Sequence, residues 1–155
     1  MTPDTRLPWM NRAGDHPATD REYFELLARA VMSAGLGPRL VEVRWASIRE
    51  AFFGFDIERI ARMGSDDLIS FMGNPGVIRN RRKLDATIEN AKTFLLLIEA
   101  EGSFRCFLDR ILPREGTTRA QLRAAGEELS DRFEYLDPTS ADLFVFACGY
   151  RSIEE

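Results

Sequence analysis

The sequence predicts an all-α protein, a compact helical bundle with one domain. Apolar residues recur at helical spacing along most of the chain, helix-capping residues precede these stretches, and no segment shows sustained alternation of apolar and polar residues. At 155 residues the chain is long enough to bury a sizeable core. We expect an irregular arm at 1–18, the helical domain at 19–150 and a short tail at 151–155.

The first helix is predicted to begin after Thr19. Thr19 and Glu22 have the spacing of a capping box, in which each side chain binds the other residue's backbone amide. Gly35 and Pro38 are expected to end this helix and turn the chain. Further helices are predicted at 39–53, from Asp56, from Ser65, at 80–100, at 103–112 and from Thr117 or Thr118 to about Asp131.

The final helix is predicted to be buried on most sides. Asp137 is a capping residue and Pro138 suits the first helical position, because that position needs no amide hydrogen. Residues 141–148 are then apolar nearly all round, apart from Asp142. Just before this helix, a brief extended stretch is compatible with residues 133–136.

The composition limits the classes of function. The net charge is −4 and the pI about 5.2, so the surface is not broadly basic, and any contact with nucleic acid must come from a local patch. The apolar runs are too short to span a bilayer, and the N-terminal residues lack the apolar stretch of a secretory signal. We therefore expect a cytoplasmic protein without a membrane partner.

Metal binding is not expected. Cys106 and Cys148 lie in apolar surroundings and are predicted to be buried free thiols, with a disulfide as the alternative. His16, in the N-terminal arm, is predicted to be a surface residue. These three soft donors do not stand at ligand spacing, whereas a structural zinc site usually takes four. The sequence therefore predicts neither a metal nor a cofactor.

The stretch at 72–84 points to a binding site for an anion. It joins two helices through a turn rich in glycine and proline, and four cations follow at the start of the second helix. A helix N-terminus presents unpaired amides and a partial positive charge, and glycine lets the backbone approach a phosphate. A helix-hairpin-helix motif holds a DNA backbone in this way without reading its sequence. We predict that the backbone phosphates of double-stranded DNA bind at Gly76, Val77, Ile78, Arg79, Asn80, Arg81, Arg82 and Lys83. The alternative is a solvated helix face in which these cations pair with Asp85 and Glu89.

Short blocks along the chain also match a known family. They are YFELL at 23–27, AGL at 34–36, REAF and FD within 49–56, GVIRNR at 76–81, GSF at 102–104 and FEYLDPT at 133–139. These blocks resemble those of the DNA-3-methyladenine glycosylase I family, part of the helix-hairpin-helix glycosylase superfamily. The resemblance spans roughly 17–150, and its most specific part begins at Gly76. It implies the all-helical fold of that superfamily.

The resemblance also implies an activity and a site. Members of the family flip an alkylated purine such as 3-methyladenine out of DNA and hydrolyse its N-glycosidic bond. A methylated, cationic base leaves as a neutral molecule, so binding and positioning can supply much of the acceleration. The implied protein is a DNA-repair hydrolase, which we take to be a monomer. Its implied base pocket is bordered by Ala30, Ser33, Leu36, Pro38 and Thr139.

The sequence departs from the family at that pocket. Ala30 stands where the family has an acidic residue, and Pro38 stands where it has a tryptophan. The terminal zinc ligands of the family are absent, and Trp9 is the only aromatic residue in the arm. The loss of the acid removes the group best placed to favour a cationic base, so the identity of the substrate base is left open.

Two other carboxylates are candidates for a catalytic role, which stays unassigned. Asp137 is near the pocket segment of the family, but an ordinary helix cap is the simpler explanation of this residue. Asp142 is the only charge in the apolar final helix, and an unpaired buried carboxylate would cost several kcal/mol. It must therefore pair with an arginine such as Arg44 or Arg132, or face a cavity.

Two other kinds of protein remain as alternatives. The first is a non-catalytic DNA-binding module that keeps the fold and the hairpin but has lost the chemistry, as the residues at Ala30 and Pro38 suggest. The second is an interaction domain without DNA binding, which the acidic pI favours.

Overall fold

The computed structural model describes residues 6–36, 38–76 and 80–154, with the exception of the side chain of Pro38. This part of the chain contains eight α-helices, one short 3₁₀ helix and no strand, so the all-α prediction is confirmed. The helices are α1 (Asp20–Ser33), α2 (Pro38–Ala51), α3 (Ile57–Ala61), α4 (Ser65–Met72), α5 (Arg81–Glu101), α6 (Phe104–Ile111), α7 (Arg119–Arg132) and α8 (Pro138–Ala147), and the 3₁₀ helix is Phe53–Phe55.

Helix α5 is the centre of the bundle. It has 21 residues and packs against α1, α3, α4 and α6, while α8 packs against α1 and α7. Aromatic rings fill the interior: Phe94 of α5 stacks on Phe104 of α6 with ring centroids 4.1 Å apart, and it meets Phe24 of α1 edge to face at 5.2 Å. Large apolar side chains from four helices therefore hold α5 in place, and its N-terminus is at the edge of the core.

Most predicted helix starts are confirmed by side-chain caps. Thr19, Asp56, Asn80, Ser103, Thr118 and Asp137 each accept a backbone N–H in the first turn of the helix that follows. Two details differ from the sequence prediction. The Glu22 carboxylate accepts the Ala18 N–H at 2.7 Å and does not complete a box with the amide of residue 19. Gly64 takes the cap position predicted for Ser65, and the Asp67 carboxylate accepts its N–H at 2.9 Å.

The N-terminal arm has no helix over its described residues, but it is bound to the end of α8. The Gly14 N–H donates to the Gly149 carbonyl at 2.9 Å, and His16 Nδ1 donates to the Cys148 carbonyl at 2.8 Å. A Cβ at Gly149 would collide with the Asp15 carbonyl oxygen, and the φ of Gly149 is +97°. Both the close contact and the backbone conformation therefore require glycine at this position. His16 is half-buried as a result, which corrects the expectation of a surface histidine.

Both cysteines are free thiols, and they differ in burial. Cys148 is fully buried, and burial raises the pKa of its thiol well above the ordinary value. Cys106 is exposed, so the prediction of two buried thiols is correct only for Cys148. Among the described residues no helix has the length and apolar character needed to cross a bilayer. No three His, Cys, Asp or Glu side chains in that part of the chain are grouped as metal ligands would be.

Candidate nucleic-acid interface and adjoining clefts

The turn after α4 brings the backbone close to α2. The Asn74 side chain accepts the Gly76 N–H at 2.9 Å, which closes a tight turn. A Cβ at Gly76 would lie 3.1 Å from the Ser47 Cβ, closer than side chains normally pack, so the turn fits against α2 because residue 76 is glycine. Val77, Ile78 and Arg79, which were predicted to bind phosphate, lie outside the described residues.

The start of α5 presents two exposed arginines beside a capped helix end. Asn80 accepts the Lys83 N–H at 3.3 Å and fixes where the helix begins. The Arg81 guanidinium is 3.9 Å from the Asp85 carboxylate, and both side chains are more than half exposed, so this pairing is loose. Arg82 is exposed and forms no ion pair with any residue that the structure describes. The alternative in which the cations pair with Asp85 and Glu89 is therefore met only by the loose pair between Arg81 and Asp85.

Lys83 does not belong to this cationic surface, which corrects the sequence prediction. Its side chain is 2% exposed, and Nζ donates to the Met32 carbonyl at 2.9 Å and to the Ala34 carbonyl at 2.5 Å. Burial lowers the pKa of its ammonium group. Lys83 therefore satisfies carbonyls at the C-terminal end of α1, where a cation is favoured, and cannot reach a phosphate. Lys83 is seven residues before the buried Asn90, on the same helix face, and the structure shows that this face is buried at both positions.

Two open clefts flank the loop between α7 and α8. The α1–α7 cleft has a volume of about 560 Å³ and is lined by Ala34, Gly35, Ser130, Phe133, Glu134, Tyr135, Leu136 and Asp137. The α5 cleft has a volume of about 290 Å³ and is lined by Arg82, Asp85, Ala86, Glu89, Glu134 and Tyr135. Tyr135 and Glu134 belong to both, so the two clefts adjoin. The start of α5 and an open cavity of base-holding size are therefore side by side.

The predicted base-pocket residues are distributed differently from the expectation. Ala30 is 1% exposed and belongs to the hydrophobic core, so it does not border an open pocket, which corrects the prediction. Ser33 is half-buried, and its hydroxyl donates to the Arg29 carbonyl at 2.7 Å. Leu36 packs against the core, and Thr139 is exposed in the first turn of α8.

The open space lies just beyond the C-terminal end of α1. Ala34 and Gly35, which follow the last helical residue Ser33, line the α1–α7 cleft, whereas Ala30, four residues before Ala34, is buried in the core. The side chain of Pro38, the remaining predicted pocket residue, lies outside the described residues.

The two candidate aspartates occupy different places. Asp137 caps α8 by accepting the Ser140 N–H at 2.8 Å, and it also lines the α1–α7 cleft, so the cap explanation and the site explanation are compatible. Asp142 is exposed and does not pair with Arg132, which binds the Glu128 carboxylate at 3.0 Å. It instead faces a third cleft of about 430 Å³.

That third cleft is formed by α7, α8 and the chain that follows α8. Arg119 and Arg123 of α7 line it opposite Asp142, together with apolar side chains of α8. Asp142 lies against Gly126, where an added Cβ would be 3.2 Å from Oδ1. Because Asp142 is exposed, it is not the buried carboxylate that the sequence analysis assumed, and it needs no ion-pair partner.

A cluster of two tryptophans and an arginine was missed by the sequence analysis. The Arg29 guanidinium lies over Trp9 at 4.4 Å and over Trp45 at 4.7 Å from the ring centroids, and Arg29 is 7% exposed. The Trp45 Nε1 donates to Glu25 at 2.9 Å. Burial lowers the pKa of Arg29, with partial compensation from the charges of Glu42 and Glu25. The signal was present, since Arg29 is the only charged residue between Leu26 and Gly37.

The fold and the site define a class: an all-α protein with an exposed cationic helix start beside an open cleft. A family model, methyladenine glycosylase, matches residues 11–137. The chain belongs to the methyladenine glycosylase family.

Relatives and solved structures agree with this assignment. The DNA-3-methyladenine glycosylase of Haemophilus influenzae is 32% identical over 115 residues, which are 67% of this chain and 62% of that protein. The DNA-3-methyladenine glycosylase 1 of Escherichia coli is 26% identical over 147 residues, or 86% of this chain and 79% of that protein. The structure of 3-methyladenine DNA glycosylase I from Staphylococcus aureus has a TM-score of 0.80 at 25% identity, covering 91% of this chain and 82% of that chain. The match thus spans about three fifths of the length of the Haemophilus relative.

Proposed function

We propose that this protein is a DNA glycosylase that hydrolyses the N-glycosidic bond of alkylated purines such as 3-methyladenine after flipping the nucleotide out of the duplex. The observation that carries the proposal is the adjacency of two features. The exposed start of α5 suits backbone phosphates, and the α1–α7 cleft beside it has room for one purine. Relatives named as DNA-3-methyladenine glycosylases support the choice of reaction.

The proposed role of the α5 start is to hold the DNA backbone. The amides of its first turn and the side chains of Arg81 and Arg82 would contact phosphates without reading sequence, and Gly76 would let the preceding backbone approach the strand. The partner is double-stranded DNA, bound by a monomer in the cytoplasm. Since only a few cations take part, an overall acidic protein can bind DNA in this way.

The proposed role of the α1–α7 cleft is to receive the extruded base. In hydrolysis, a water oxygen bonds to the sugar C1′, the bond from C1′ to the base nitrogen breaks, and the base takes the bonding electrons. A base that was cationic then leaves neutral. The exposed Asp137 carboxylate lines this cleft and would stabilise the positive charge that develops on the sugar.

The test is release of methylated base from alkylated duplex DNA, followed by scoring of abasic sites. We expect wild-type protein to release base, and the Arg81→Ala/Arg82→Ala double variant to lose both DNA affinity and release. Arg119→Ala/Arg123→Ala is the matched control, because these arginines are also exposed but lie on α7. Asp137→Asn should keep the helix cap, since asparagine caps as well as aspartate, and should slow release.

A specific observation favours a second candidate, the non-catalytic DNA-binding module. Ala30 is buried in the core, so no carboxylate stands at the position where the family carries its acid. Salt-dependent binding of duplex DNA through Arg81 and Arg82, with no base released from any alkylated substrate, would select this candidate and reject the enzyme.

A further inference from the structure

Tyr135 has a backbone conformation that side chains rarely adopt. Its φ is +59°, in the left-handed region where a Cβ crowds the neighbouring carbonyl oxygen. Glycine would adopt the same conformation with less strain. Strained residues persist where the surrounding structure fixes them, and they cluster at functional sites.

The residues on either side of Tyr135 are fixed by polar side chains. Asn90 of α5 is 2% exposed; its Nδ2 donates to the Glu134 carbonyl at 3.1 Å, and its Oδ1 accepts the Glu134 N–H at 2.7 Å. The Ser130 hydroxyl donates to the Leu136 carbonyl at 2.6 Å. The backbone at Tyr135 therefore cannot relax unless these hydrogen bonds break.

Tyr135 carries the exposed aromatic side chain of its segment, next to the exposed Glu134. Phe133 and Leu136 are 4% and 3% exposed, whereas Tyr135 is 42% exposed. Tyr135 lines both the α1–α7 cleft and the α5 cleft, and Arg82 lines the second of them. An aromatic ring on a rigid backbone is thus placed between the proposed base cleft and a cation of the proposed phosphate site.

We propose that the ring of Tyr135 stacks on a DNA base next to the position from which the nucleotide is extruded. The proposal rests on the proposed function, and it adds a side chain that contacts the duplex. Extrusion unstacks the neighbouring bases, and an aromatic side chain restores part of the lost stacking whatever the sequence, because every base has a π-face. The fixed backbone at Tyr135 reduces the entropy lost when the ring is immobilised.

The experiment uses the full chain and a duplex with a stable abasic analogue next to 2-aminopurine, whose fluorescence falls when a ring stacks on it. We expect wild-type protein to quench this fluorescence and to prefer the abasic duplex over an intact one. Tyr135→Ala should reduce that preference by roughly 5- to 150-fold, the range for stacking on one base. Tyr135→Phe should retain the preference and the quenching. The salt dependence of binding should be unchanged in both variants, because the phosphate contacts remain.

Phe53 provides a matched control. It too has a positive φ, +56°, and is 37% exposed, but the Arg59 guanidinium covers its ring at 3.8 Å, and it lines a different cleft. Phe53→Ala should leave discrimination and quenching unchanged. Tyr135→Gly should lose the stacking signals while its melting temperature stays equal or rises, because glycine relieves the strain. If the stacking signals were lost because the variant folds poorly, its melting temperature would fall, so the measurement separates a fold defect from the loss of the ring.

Two outcomes would overturn the stacking role: unchanged quenching and preference in Tyr135→Ala, or a wild-type protein that does not distinguish the abasic from the intact duplex. A different result bears on the proposed function alone. If the wild type quenches and discriminates through Tyr135 but releases no alkylated base, the stacking role stands and the glycosylase activity is rejected.

Discussion

Replacing Lys83 by methionine separates stability from DNA binding. Methionine keeps most of the apolar stem but removes the ammonium group that binds the Met32 and Ala34 carbonyls. Each hydrogen bond from a charged donor contributes about 1.5–3 kcal/mol, and leaving buried carbonyls unpaired adds to the loss. The variant also avoids the cost of burying an ammonium group, which is several kcal/mol. This gain offsets much of the stability lost with the hydrogen bonds. We expect a net loss of about 2 kcal/mol, which lowers the Tm of a domain of this size by about 4–8 °C.

The assay pairs thermal and urea unfolding with DNA affinity at several salt concentrations. Lys83→Met should unfold earlier yet bind duplex DNA, at temperatures where it is folded, with the wild-type salt dependence. Arg82→Met should keep wild-type stability within about 0.5 kcal/mol. It should also reduce the slope of log affinity against log salt by about 1, the value for one phosphate contact. The reasoning is refuted if Lys83→Met reduces the slope of log affinity against log salt while its stability is unchanged, because the Lys83 ammonium would then contact a phosphate.

Two further predictions concern the end of α8. Gly149→Ala should lower the free energy of unfolding by about 2–4 kcal/mol, through strain at a positive φ and displacement of the arm. In urea unfolding, Gly116→Ala, with φ +70° but open space, should lose only about 1 kcal/mol; equal losses would contradict the role of the arm contact. Burial, with smaller contributions from Cys148 and Asp109, raises the pKa of Tyr150 from 10.0 to about 12, so its proton is held more tightly in the folded state. Stability from this phenol, up to about 3 kcal/mol, is therefore full below pH 10 and is lost between pH 10 and 12, and alkaline unfolding of Tyr150→Phe should lack this loss.

The helices were predictable because their signals are local. Thr19, Ser103 and Asp137 are caps followed by apolar residues at helical spacing, and such signals depend on neighbours within four residues. The prediction failed where a partner distant in sequence decides. His16 is half-buried because it donates to the Cys148 carbonyl, 132 residues away at the end of α8. That contact has no local sequence signature.

The segments that make up the candidate site stand out in the sequence, but the orientation of their side chains does not. The cationic turn before α5 and the segment at 133–139 were both identified from sequence, and the structure places Arg82 and Tyr135 on one cleft. Sequence could not show that Lys83 faces inward, because a lysine at a basic helix start looks like any solvated cation. It also could not show the positive φ of Tyr135, since tyrosine gives no warning of that conformation.

Helix α5 joins the parts of the site into one rigid unit. Lys83 and Asn90 are two turns apart on the same buried face of this helix. Lys83 binds the carbonyl of Ala34, which follows α1 and lines the cleft, and Asn90 binds Glu134 on the facing loop. Both walls of the cleft are therefore hydrogen-bonded to the helix whose first turn is proposed to bind phosphate. A strand held at that turn would have a fixed position relative to the cleft, and no movement of the bundle is needed to align the two.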